Sequence, residues 1–252
     1  MKIAISGKGG VGKTTLAALL ARTARSQGSR VIAIDADPDS NLAATLGYPD
    51  PDSIVPLTMR KELIDERVGT GGMLRLNPRV DDLATTLGVD IDGITLVVLG
   101  SIPRGGSGCF CPPSALLKAF MTHTLVQPGD WVILDMEAGL EHLGRGSSAA
   151  VDCLLVVVEP TTRSVETAHR IARLAKDLGI RRLGCVANKI ESESQAAKVR
   201  ASLGSIPLAG TLPLAIGLSG FAPRTDLQGL DPDLAARLRE IHAFITEKGA
   251  PR

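Results

Sequence analysis

Short runs of consecutive apolar residues recur along this chain, separated by longer stretches in which apolar positions repeat every three or four residues. The continuous runs cover residues 2–6, 31–35, 95–99, 131–135, 153–158 and 183–187, with a weaker one at 206–211. A strand with one wet face alternates apolar and polar residues, whereas a strand covered on both faces has no need to. The runs therefore predict parallel strands. Helical spacing marks 14–27, 114–125, 164–178, 193–203 and 232–248. Strand–helix alternation of this kind predicts an α/β fold, a doubly wound and mostly parallel sheet. Ligands of such sheets bind beyond the C-terminal ends of the strands.

The first strand runs into Gly7-Lys8-Gly9-Gly10-Val11-Gly12-Lys13-Thr14-Thr15 and then directly into the first helix. A glycine, four free positions and Gly-Lys-Thr between strand and helix make a phosphate-binding loop. Glycines let backbone amides turn inward on a phosphate, and the helix N-terminus adds partial positive charge. Gly9, Gly10, Val11, Gly12, Lys13, Thr14 and Thr15 are thus predicted to hold a nucleoside triphosphate, making the chain a P-loop NTPase. Lys13 is expected on the β- and γ-phosphates, and the Thr14 hydroxyl on Mg²⁺. Lys8 is an addition to the plain motif. A cation on a flexible stem beside the nucleotide could reach the phosphates of a neighbouring subunit; otherwise it is a solvated loop lysine. Residues 46–92, rich in Pro, Gly and Asp, break the strand–helix rhythm and read as an insertion on the nucleotide face of one domain spanning 1–252.

Three strand ends carry polar residues aimed at the same place. Asp35-Ala36-Asp37-Pro38-Asp39-Ser40-Asn41 closes the second strand. Carboxylates there can hold Mg²⁺-bound water or orient the attacking water, although Asp37 could equally cap a turn. Four apolar residues lead to Asp135, a Walker B arrangement expected to touch Mg²⁺ through water. Asn188 ends the strand at 183–187; an amide there can read a purine edge or close an Asx-turn. Asn188-Lys189-Ile190-Glu191 lacks the aspartate that guanine recognition uses, so adenine is favoured.

Composition narrows the partners. A 44 % apolar content is ample for a core, while aromatics make up 2 %, leaving few platforms for stacking bases. Net charge is +1 with no basic run longer than Arg181-Arg182, a poor footprint for nucleic acid. The longest apolar run is too short to span a bilayer, and the C-terminal helix is not basic enough for a surface anchor. The expectation is a cytoplasmic protein that binds neither nucleic acid nor membrane. In a reducing compartment cysteines act as ligands or catalysts more often than as disulfides. Cys153 and Cys185 lie inside apolar runs and read as packed thiols. Cys109-Phe110-Cys111 follows a glycine-rich stretch and precedes Pro112-Pro113-Ser114, a plausible helix start. Thiols at a helix N-terminus ionise readily. Two thiolates are half of a four-coordinate soft-metal site, which a twofold axis would complete. Four thiolates suit Zn²⁺, Ni²⁺ or an iron–sulfur cluster.

The form KGGVGKT resembles the deviant Walker A class, which includes the Min-system and plasmid-partition ATPases, nitrogenase iron protein and metallocluster accessory ATPases. That resemblance implies an ATP-dependent homodimer in which Lys8 reaches the partner's triphosphate and acts in catalysis with Lys13. It makes the Asp35–Asn41 segment switch I, with Asp37 activating the nucleophilic water. It makes Met136-Glu137-Ala138-Gly139 switch II, with the Gly139 amide on the γ-phosphate, and puts Asn188 on the base. The segments 73–82, 105–112 and 135–146, the last with Glu141-His142 and Gly144-Arg145, are similar to the CooC-type carbon monoxide dehydrogenase accessory ATPases, over residues 1 to about 189. That narrower resemblance implies nickel (or zinc) held by Cys109 and Cys111 and carbon monoxide dehydrogenase as client. A reductase component like nitrogenase iron protein is the alternative, but that family draws its cluster cysteines singly from distant segments. A positioning or partition protein would need the basic surface this chain lacks.

Overall fold

A computed structural model describes residues 1–69, 75, 78–100, 112–123, 127–137, 140, 151–214 and 231–247. The chain-order elements are β1 (Lys2–Gly7), α1 (Lys13–Ser26), β2 (Val31–Ala36), α2 (Leu42–Leu46), α3 (Lys61–Val68), α4 (Leu83–Leu87), β3 (Val89–Ile91), β4 (Ile94–Val98), α5 (Pro112–His123), β5 (Trp131–Met136), β6 (Cys153–Val158), α6 (Thr162–Asp177), β7 (Leu183–Ile190), α7 (Glu193–Leu203), β8 (Leu208–Pro213) and α8 (Pro232–Thr246). Short 3₁₀ turns at Pro51–Ser53 and Leu57–Met59 lie between α2 and α3.

The strands form one sheet in the order β3-β4-β2-β5-β1-β6-β7-β8. All pairings are parallel except β3 with β4. The seven predicted strands are present, and β2, β5 and β6 are buried along their whole length, as continuous apolar runs require. One face packs Leu16, Leu20, Leu42, Leu238 and Ile241 from α1, α2 and α8 against the sheet. The other packs Ile64, Leu83, Phe120, Ile171 and Val199 from α3 to α7.

The supposed insertion at 46–92 is more structured than its composition suggested. It contributes α3 and α4, whose Ile64, Val68 and Leu83 enter the core, and the edge strand β3. β3 turns into β4 through Asp92 and Gly93, both at positive φ (54° and 80°). Asp-Gly at a two-residue hairpin is a strong local signal for this turn. Among the described residues no helix is long and apolar enough to cross a membrane.

Candidate functional site

The sheet order puts β1 between β5 and β6, so the loop after β1 opens where the winding reverses, the usual crevice of a doubly wound fold. Gly10 and Gly12 bend the loop with φ of 77° and 97°, values that favour glycine. Gly12 also starts α1, which has no capping side chain and no acid in its first turn. By contrast Thr161, Ser192 and Asp231 cap α6, α7 and α8 with side-chain oxygens. The first amides of α1 are therefore left for an anion, which its N-terminal dipole also favours.

Around this loop the structure gathers most of the predicted residues. Asp135 near the end of β5 sits in register with Ile5 of β1 and with Asp35 of β2. Lys13 is buried and pairs with Asp37 across 3.8 Å. Asp35 accepts the backbone amides of Leu42 at 2.9 Å and Asp37 at 3.2 Å, while Asp37 accepts that of Asp39 at 3.1 Å. The Asp35 carboxylate thus shapes the turn that presents Asp37. Burial lifts the Asp35 pKa to about 6, with the two amides pulling the other way. Ser6 donates to the Glu137 carbonyl at 3.1 Å, tying the segment after β5 to the end of β1.

Asp135 is the most exposed to electrostatic cost. It is fully buried, and neither carboxylate oxygen has a partner at full hydrogen-bond geometry. Desolvation raises its pKa to about 7; Thr14 and Lys13 favour the charged form, and Asp35 and Asp37 oppose it. A buried carboxylate left this way is costly, and water on a cation would satisfy both oxygens. The donor set fits hydrated Mg²⁺: the Thr14 hydroxyl would be its direct protein ligand, and Asp135 would be reached through water. A carboxyl whose pKa rises on folding binds more protons folded than unfolded, so stability falls as pH rises. Without nucleotide and Mg²⁺, the fold should therefore lose stability between pH 4 and 7, by about 4 kcal/mol from Asp135 at the ~1.4 kcal/mol of each pKa unit. Urea titrations across that range should show a flatter profile for Asp135→Asn; an unchanged slope would refute the assignment.

Asn188 donates its side-chain amide to the Val11 carbonyl at 2.8 Å, and it fills the space a Cβ on Gly12 would need. The next residue, which sequence reasoning passed over, does the same one step along: the Lys189 ammonium donates to the Gly10 carbonyl at 2.8 Å and pairs with Glu159 at 3.2 Å. Lys189 has φ of 60°, a left-handed conformation that costs a residue with a Cβ about 1–2 kcal/mol. Its signal was its place beside Asn188 at a strand end. Lys8 is partly exposed, and Gly9 and Gly10 lie at the surface of the loop.

Gly139 lies outside the described residues, as do Cys109 and Cys111. Among the described residues no cluster of three or more His, Cys, Asp or Glu could hold a metal ion. Cys153 and Cys185 are fully buried as free thiols, with pKa values pushed up by burial to about 12, as packed and unreactive thiols should be.

Residues 2–220 match the family model described as the CobQ/CobB/MinD/ParA nucleotide binding domain, and the chain belongs to that family. It is a P-loop ATPase of the MinD/ParA class. Within that class it is of CooC type: it is 44 % identical over 219 residues to the carbon monoxide dehydrogenase accessory protein CooC of Rhodospirillum rubrum, covering 84 % of this chain and 83 % of that one. It is 46 % identical over 200 residues to an uncharacterized ATP-binding protein of Methanocaldococcus jannaschii, covering 77 % of each. The fold is shared with the septum site-determining protein MinD of Pyrococcus horikoshii complexed with Mg-ADP, at a TM-score of 0.68 and 18 % identity, over 98 % of this chain and 96 % of that one.

Proposed function

We propose that this protein is an ATP-dependent metallochaperone that assists nickel insertion into carbon monoxide dehydrogenase. The observation that carries the reading is the likeness to the Rhodospirillum rubrum accessory protein along most of both chains. The Cys109-x-Cys111 pair supports it, because two thiolates per chain want a second copy to complete a soft-metal site.

ATP binds on the loop amides, with Lys13 on the β- and γ-phosphates and Thr15 at the start of α1 beside them. The Thr14 hydroxyl would hold Mg²⁺, which when bound would supply charge neutralisation at the phosphates. Asn188 has one amide hydrogen committed to Val11, which leaves its other hydrogen and its carbonyl oxygen for the adenine edge. Asp37 orients the water that attacks the γ-phosphorus, the bond to the ADP oxygen breaks, and the Gly139 amide follows the departing phosphate. Lys8 crosses to the partner's triphosphate, so ATP closes a homodimer, brings two cysteine pairs together, and hydrolysis releases them.

One experiment tests the whole reading. Nickel-free carbon monoxide dehydrogenase, given Ni²⁺ and MgATP, should gain activity about tenfold faster with this protein than without it. Lys8→Ala should remove the acceleration and, in sedimentation with a non-hydrolysable ATP analogue, the dimer. No acceleration by the wild-type protein overturns the metallochaperone reading; a Lys8→Ala protein that still dimerises overturns the cross-subunit lysine.

A further inference from the structure

We propose that Lys189, steadied by Glu159, is a positioning residue that sets the phosphate-binding loop before its ligand arrives. The inference rests on the nucleotide-binding reading of the loop and is independent of the metal.

A phosphate loop works only when consecutive amides converge on one point, which forces the intervening carbonyls to face away. Each outward carbonyl then needs a partner of its own. In this protein two successive carbonyls are met by two successive side chains from the end of β7: Val11 by Asn188 and Gly10 by Lys189. The loop tip has little else on that side, since no atom lies within 4 Å of where a Cβ on Gly9 or Gly10 would stand. Packing cannot hold it there, so hydrogen bonds must.

Lys189 is built for the task at a cost. Its backbone takes a left-handed conformation that a residue with a Cβ disfavours, and such strain persists where the surroundings demand it. Glu159, the residue after β6, accepts from the same ammonium and is itself largely buried, so the side chain is held between two elements. A charge-assisted hydrogen bond to a carbonyl is stronger than a neutral one, which suits a loop otherwise free to collapse. The group that benefits is the phosphate common to ADP and ATP, so the effect should not distinguish the two nucleotides.

Three variants test this by calorimetric titration with ADP and a non-hydrolysable ATP analogue, alongside steady-state ATP hydrolysis. Lys189→Met should weaken both nucleotides about tenfold or more, the size expected for losing a hydrogen bond from a charged group. KM for ATP should rise with kcat nearly unchanged, the signature of lost uniform binding. Lys189→Arg, which keeps a charged donor, should recover most of the affinity. Lys189→Gly relieves the backbone strain while deleting the brace, so its melting temperature should hold or rise while its affinity falls with that of Lys189→Met. A folded Lys189→Met protein that binds ADP as tightly as wild type overturns the proposal. So does a loss in kcat alone, or a Lys189→Gly protein whose affinity is intact. Failure of the wild-type protein to bind ADP would instead overturn the nucleotide reading itself.

Discussion

Asp37→Asn should bind ATP about as well as wild type and hydrolyse it at least about a hundredfold more slowly. Substitution leaves the side chain's size and its acceptor for the Asp39 amide in place, and removes the charge. Orienting or deprotonating the attacking water typically contributes about 10²- to 10⁴-fold, so its loss should fall on kcat. Without nucleotide that charge faces Lys13 at 3.8 Å. With Lys13 on the phosphates, as proposed, ATP would draw it away from Asp37 and leave the carboxylate to the attacking water. Asp37→Asn should therefore spare binding. Lys13→Ala should behave oppositely, abolishing measurable ATP binding by removing the buried cation. Phosphate release and nucleotide titration on both variants separate the two roles. An Asp37→Asn protein that turns over at the wild-type rate would sink the switch I assignment.

The other large effect concerns metal. One Ni²⁺ or Zn²⁺ should bind per two chains through sulfur, and Cys109→Ala or Cys111→Ala should reduce that binding by several orders of magnitude. A four-coordinate soft ion cannot be satisfied by two thiolates, and a second chain would supply the missing pair. Cys153→Ala and Cys185→Ala should leave the metal in place, because both thiols are sealed inside strands with pKa values near 12. Affinity should weaken as falling pH protonates the ligand thiolates, and strengthen when an ATP analogue is present. X-ray absorption showing only nitrogen or oxygen ligands, or one metal per chain surviving loss of the cysteines, would rule out the shared site.

What could be read from the chain depended on whether a signal was local. Fully buried parallel strands announce themselves as unbroken apolar runs, so β5 and β6 were legible almost to the residue, as was the helix at 193–203. The loop from Gly7 to Thr15 was legible because its chemistry needs those residue types at that spacing. α3 and α4 were missed because each is short and buries only two residues, too few to establish a period. β3 was missed for a different reason: three residues are too few for a pattern, and the Asp92-Gly93 turn was the only clue. At the site, the carboxylates were found from their place at strand ends. The Lys13–Asp37 pair and the Lys189 brace were not, because they join residues 24 and 179 positions apart, and no local pattern encodes such contacts.

The position of β1 has a further consequence, for the order in which this protein can be built. Its hydrogen-bonding neighbours are β5 and β6, so Ile3 pairs with Ile133 on one side and with Cys153 on the other. A strand in the middle of the sheet is thus made before either of its partners, which follow more than a hundred residues later. At synthesis rates of about 5–20 residues per second, it waits on the order of ten seconds as an apolar strand with two unpaired edges. Pairings this distant in sequence also close slowly once both segments exist. The phosphate loop hangs from that strand, and its brace arrives later still with β7. Nascent chains that have not yet reached Lys189 therefore lack a finished nucleotide site, and the Ile3–Ile5 segment is where they are most open to aggregation and to capture by chaperones.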